Sequence, residues 1–177
     1  MANFIGYLIG IVFLGAPICW FLWLIIRAAG VTEKRNNNKK KFGATKSNAL
    51  KHVAGLPYAQ GTIVEVYYGD NGFVFLKDGQ EVSVSMDKIT SIDCVYGKDV
   101  QTQMASGAVV GKLVLGSTVG ALIGAAAATT LYMVISYKSN GERKSVVLDT
   151  AFSGSFASKT EKAFKASHPV NTERIEL

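Results

Sequence analysis

The sequence predicts an α+β chain: an N-terminal transmembrane helix, a basic linker, and an antiparallel β roll or barrel with a C-terminal helix and an inserted glycine-rich helical hairpin. Three observations predict it. Residues 4–26 are an unbroken apolar run, short segments between 58 and 150 alternate with a period of two, and residues 104–130 space their glycines four apart. The expected parts are an anchor at 1–27, a flexible linker at 28–57, the β-rich domain at 58–168 interrupted at 104–130, and a tail at 169–177.

From Phe4 to Ile26 every residue is apolar, glycine or proline, except the interfacial residue Tyr7. As a helix this run extends about 34 Å, enough for a hydrocarbon core of roughly 30 Å. Trp20 and Trp23 sit near one end, Arg27 closes the run, and Pro17 predicts a kink. A cleaved signal peptide fits poorly, because no Lys or Arg precedes the run and the run is too long for such a segment. Ala2, Gly6 and Gly10 recur every four residues, a spacing that lets two helices approach closely.

The charge is uneven. Residues 27–51 hold eight basic side chains, among them Arg27, Lys34, Arg35, Lys39, Lys40 and Lys41, against the single Glu33, while the whole chain carries +6. Basic residues directly after an apolar span stay in the cytoplasm, which predicts a single-pass protein of the cytoplasmic (inner) membrane, N-out and C-in. Few large apolar side chains interrupt residues 31–51, so this stretch is expected to be flexible. Two roles stand for it: attraction to anionic lipid headgroups, or a topology signal and tether. A nucleic-acid binder would spread basic charge and aromatics over a folded face, so no nucleic-acid partner is expected.

Thr62–Tyr68, Phe73–Lys77, Glu81–Met86 and Thr90–Tyr96 read as strands, as do Leu131–Lys138 and Lys144–Thr150. Asn71-Gly72, Asp78-Gly79 and Asn140-Gly141 suit the positive φ angles of tight hairpin turns. A terminal helix follows, with Ser158 and Glu161 at capping-box spacing and with Phe156, Ala163 and Phe164 able to share an apolar face; Pro169 ends it.

Gly107 and Gly111 are four apart, as are Gly116, Gly120 and Gly124. Glycine costs about 1 kcal/mol relative to alanine inside a helix, so five of them imply compensating close backbone packing. A single crossing of the bilayer would put the two strand sets on opposite sides, where neither could complete a sheet. The expectation is therefore a hairpin turning near 116–118, its arms too short to span. Packing on the domain's own surface, dipping into one leaflet and packing between subunits all remain open. Lys112 is the lone charge in this stretch.

VVGKLVLGSTVGALIGAAAA at 109–128 and MVISYKSNGERK at 133–144 resemble a bacterial family with a pleckstrin-homology-like (PH-like) domain, in which a glycine-rich apolar segment interrupts the strands. The resemblance covers about residues 58–168. It implies a bent antiparallel sheet closed by the C-terminal helix and does not fix an activity, since one fold serves many functions.

Catalytic, metal and cofactor chemistry is not expected. His52 and His168 read as solvated, and Cys19 and Cys94 as small buried residues of a reducing compartment. The carboxylates fall mainly at turns, and the EF-hand, HExxH, CxxC and GxxxxGK[ST] spacings are absent. The leading expectation is a non-enzymatic, self-associating scaffold. Its lateral contacts would come from Gly6, Gly10, Gly107, Gly111, Gly116, Gly120 and Gly124, and its partners would be membrane lipids, further copies of itself and a protein yet to be identified. A lipid- or peptide-binding module and a pore-forming or membrane-perturbing oligomer are the competing expectations.

Overall fold

The computed structural model describes residues 18–23, 30–99, 129–151 and 153–168. The chain divides into two compact units, Met1–Lys41 and Phe42–Leu177. In the first unit, residues 18–23 and 30–41 (α1) are helical. The expected spanning run lies mostly outside the described residues, and among these no helix is long and apolar enough to cross a membrane.

The second unit is a seven-stranded antiparallel sheet with one α-helix after the last strand. The strands are β1 (Ala44–Ala54), β2 (Ile63–Gly69), β3 (Gly72–Lys77), β4 (Gln80–Ser85), β5 (Ile89–Tyr96), β6 (Leu131–Ser139) and β7 (Glu142–Asp149), and the helix is α2 (Gly154–Ser167). The sheet order is β4-β3-β2-β1-β7-β6-β5. Two meanders, β1 to β4 and β5 to β7, are therefore joined by the β1–β7 seam, where Lys51 faces Asp149 and His52 faces Leu148.

The period-two reading of β2 to β7 matches to within one or two residues. One face of the sheet supplies the core: Val64, Val66 and Tyr68 from β2, Phe73 and Phe75 from β3, Ile92 from β5, Met133 and Ile135 from β6, and Val146 and Leu148 from β7. Phe156, Ala157 and Phe164 of α2 join them, so the helix lies over the inner side of the sheet. The turns use the expected chemistry at two of three places. Asp78 (φ 49°) with Gly79, and Asn140 (φ 54°) with Gly141, form two-residue turns with both residues at positive φ. At the third, Gly69 pairs with Gly72, so the loop is Asp70-Asn71 and only Gly72 has positive φ.

Four expectations need correction. The flexible linker expected at 28–57 is ordered through most of its length: 30–41 is helical and 44–54 is β1, a central strand paired to β2 over Ala44–Lys51. Residues in β1 are mostly polar or small, and pairing on both sides satisfies their backbone groups without a strong apolar pattern. The terminal helix begins at Gly154, with Ser153 as N-cap, which places Ser158 and Glu161 inside the helix and not at a capping box. His52 is buried at 3% exposure, and Cys19 is exposed, whereas the opposite was expected of each.

Candidate functional site

Residues 30–41 carry Lys34, Arg35, Lys39, Lys40 and Lys41 on one helix. At 100° per residue Lys34 and Lys41 share one side, Arg35 and Lys39 another, and Lys40 a third, so basic charge surrounds the helix. Lys34, Lys40 and Lys41 are exposed, and Arg35 and Lys39 half-buried. Arg27, Gly6, Gly10, Gly107, Gly111, Gly116, Gly120 and Gly124 lie outside the described residues. In the helical stretch 18–23, Ile18, Trp20, Phe21, Leu22 and Trp23 are all more than half exposed, Trp20 at 64%.

The root of the glycine-rich insertion is well defined. The ladder between β5 and β6 runs through Val95↔Tyr132 to Tyr96↔Leu131, and the Gly97 N–H donates to the Thr130 carbonyl at 3.0 Å. The Thr150 N–H and hydroxyl both donate to the Leu131 carbonyl, at 3.0 and 2.7 Å, tying the return point to the end of β7. The chain that departs after Gly97 thus comes back one hydrogen bond from where it left. Tyr96 is 46% exposed at this root, and the Lys98 ammonium lies 5.7 Å from its ring centroid. At that distance the ammonium and the ring face attract one another.

Three further groups have defined chemistry. The Lys46 ammonium donates to the Lys159 carbonyl at 2.7 Å and lies 5.5 Å from the Tyr68 ring centroid. Desolvation, then repulsion from Lys159, lowers its pKa from the ordinary lysine value. At His52 both ring nitrogens are engaged. Nε2 accepts the Leu56 N–H at 3.1 Å and Nδ1 lies 3.3 Å from the Ala59 carbonyl, which accepts, so the proton sits on Nδ1. The ring also packs edge-on to Tyr58 at 6.3 Å. His52 thereby fastens the loop between β1 and β2.

Cys94 lies on β5 against α2. Burial, followed by a hydrogen bond to the Glu161 carboxylate, pushes its thiol up to about 12. Lys165 bridges Glu161 and Asp93 beside it. A thiol held protonated in this way is a weak nucleophile, and only the thiolate attacks. Among the described residues, no group of three or more His, Cys, Asp and Glu side chains is placed to hold a metal ion. A shallow, mainly apolar groove of about 90 Å³ runs beside the β1–β7 seam, walled by Ala49, Ile63 and Ala151 with Lys51 and Asp149 among its lining.

No family model, curated protein or solved structure matches this chain.

Sequence reasoning missed β1, and with it His52, Lys46 and the seam. The signal was faint. Leu50 is the only large aliphatic in KSNALKH, and the basic residues around it suggested solvation.

Proposed function

We propose that this chain is a membrane-anchored, self-associating, non-enzymatic scaffold at the cytoplasmic membrane face, its second unit a PH-like domain. The observation that carries the reading is the insertion root. Tyr96 pairs with Leu131 and Gly97 bonds to Thr130, so a segment rich in apolar residues and in glycines at helical spacing starts and finishes at one point. A single passage through a core of roughly 30 Å would separate those ends, so the segment doubles back on the side it left. Glycines every four residues then line close helix contacts, within one chain or between copies.

Other observations support the same reading. Exposed Trp20 and Trp23, the apolar residues flanking them in the sequence, and basic α1 directly afterwards fit an anchor with its basic flank at the headgroups. Two antiparallel meanders with a helix over the inner side agree with the bent, helix-closed sheet that the PH-like resemblance implies. Recognition of a lipid headgroup or a peptide is the second reading; the Lys46 ammonium over the Tyr68 ring, with the Lys159 charge close enough to repel it, favours it.

Mass measurement of the detergent-extracted full chain tests the assembly, with a multiple of the protomer mass expected; a monodisperse monomer at micromolar concentration overturns it. Labelling of Glu81→Cys and Asn140→Cys in oriented vesicles tests the topology. Both positions are expected on one side, and opposite sides overturn the proposal.

A further inference from the structure

We propose that the glycine-rich segment 104–130 packs along the outer face of its own chain's β6–β7 hairpin, on the side of the sheet opposite the core. This rests on the reading that the segment doubles back, and adds the surface on which it comes to lie.

The two faces of the hairpin separate by alternation. Met133 and Ile135 of β6 and Val146 and Leu148 of β7 belong to the core, so Tyr132, Val134, Ser136, Ser145 and Val147 point outwards. The register pairs Val134 with Val147 and Ser136 with Ser145, whose hydroxyls lie 3.2 Å apart. These outward side chains are nonetheless closed to water: Val134 and Val147 are 0% exposed, Tyr132 is 3% exposed, and Ser136 is buried. The Ser91 hydroxyl of β5, opposite Ser136, is closed off too. An outward valine with no layer above it keeps one side in solvent, so a second layer lies on this face.

The shield is local, and it belongs to this chain. On the same face Ile63 of β2 is 56% exposed, and the outward pair Lys138↔Arg143 at the far end of the hairpin is exposed. The structure holds a single copy of the chain, so no neighbour supplies the cover. Among the described residues, α2 packs against β5 and β1 and joins the core, as does Met86 of the short helical turn at 86–88; both lie on the inner side.

Segment 104–130 fits this face by position, length and chemistry. It rejoins the sheet at Leu131, the residue before Tyr132, where the Gly97 N–H bonds to the Thr130 carbonyl. A hairpin turning near 116–118 has arms of about 12 residues, or roughly 17 Å as helix. From Leu131 to Ser136 the strand also runs about 17 Å, and the shielding stops beyond that point. Along the returning arm Gly120, Gly124 and Ala128 recur every four residues, and such small side chains let a helix settle close onto Val134 and Val147. The tail after His168 has the wrong chemistry for an apolar face, since it carries Glu173, Arg174 and Glu176.

The test uses the full chain in detergent with Cys19→Ser and Cys94→Ala. Gly120→Cys combined with Ser136→Cys is expected to form a disulfide within one chain under mild oxidation, at a yield independent of protein concentration. Gly120→Cys with Ile63→Cys is the control and should stay reduced. In a second measurement, Ser136→Cys alone should react slowly with a maleimide. It should react roughly tenfold faster or more once 98–129 is replaced by Asn-Gly, which closes β5 to β6 as a two-residue hairpin between Gly97 and Thr130. A disulfide that forms only between copies overturns this surface and leaves the doubling back standing. So does a Ser136→Cys thiol that stays protected in the shortened chain, which would assign the cover to another stretch such as 4–26. Opposite-side labelling of Glu81→Cys and Asn140→Cys overturns the doubling back itself.

Discussion

Gly55→Ala probes the seam on which the whole second unit depends. Gly55 follows β1 at φ +91°, and a Cβ built there falls 2.0 Å from the Ser145 carbonyl oxygen and 2.8 Å from Val146 Cα. Both obstacles are β7 backbone, so no side chain can swing aside. Positive φ at a non-glycine residue costs on the order of 1–2 kcal/mol. Restoring ordinary contact requires the strands to part by more than an ångström beside Ala54↔Val147, losing about two ladder hydrogen bonds at roughly 1 kcal/mol each. The expected loss is about 3–4 kcal/mol, a large part of the 5–15 kcal/mol typical of a domain. Gly141→Ala is the matched control: its φ is +82°, but nothing lies within 4 Å of the added Cβ, so only the torsional cost of about 1–2 kcal/mol applies. Guanidinium unfolding of the full chain in detergent, followed by circular dichroism, measures both. A Gly55→Ala loss no larger than that of Gly141→Ala would refute the packing of β1 against β7.

Three other outcomes are expected. His52→Ala removes the acceptor for the buried Leu56 N–H and the donor to Ala59, so stability should fall by about 2–4 kcal/mol and exchange of the Leu56 amide should accelerate; an unchanged midpoint and exchange rate would contradict it. Cys94 should alkylate far more slowly in the folded than in the unfolded chain, because a thiol moved from 9.0 to about 12 holds roughly a thousandfold less thiolate near neutral pH, and Glu161→Gln should speed the reaction by removing a group that raises it. Since the folded state binds the Cys94 proton more tightly than the unfolded one, its contribution is complete below pH 9.0 and is lost as pH rises towards about 12. Lys165, raised chiefly by its hydrogen bond to Glu161, acts in the same direction. Alkaline titration of stability should therefore fall less steeply in Cys94→Ala.

How much was legible can be argued from particular residues. Val82 and Val84 alternate with serines, and Asn140-Gly141 sits between two apolar runs, so β4 and the β6–β7 hairpin could be read locally. His52 could not. Its neighbours Lys51 and Val53 say nothing about the Leu56 amide that turns back on its ring, and burial there comes from the loop closing over it. Cys94 was legible as a strand residue but not as a partner of Glu161, 67 positions further along the chain. The basic residues Lys34 to Lys41 were correctly seen as a cluster, but their composition suggested a loose tether where the structure has a helix. Lysine and arginine are good helix formers, and composition alone does not separate the two states.

What the sequence by itself determined is local: six strands by alternation, two of the three tight turns by their Asp-Gly and Asn-Gly chemistry, and an apolar run followed by basic charge. Side-chain period and turn torsions are set within a few residues, so they survive without knowledge of the fold. Only the tertiary structure decided that β1 joins the two meanders, that Gly97 and Thr130 hold the insertion by its root, and that β4 ends the sheet. Those facts depend on which distant backbone groups meet, and a strand such as β1, whose pairing rests more on backbone bonds than on apolar side chains, leaves little trace in composition.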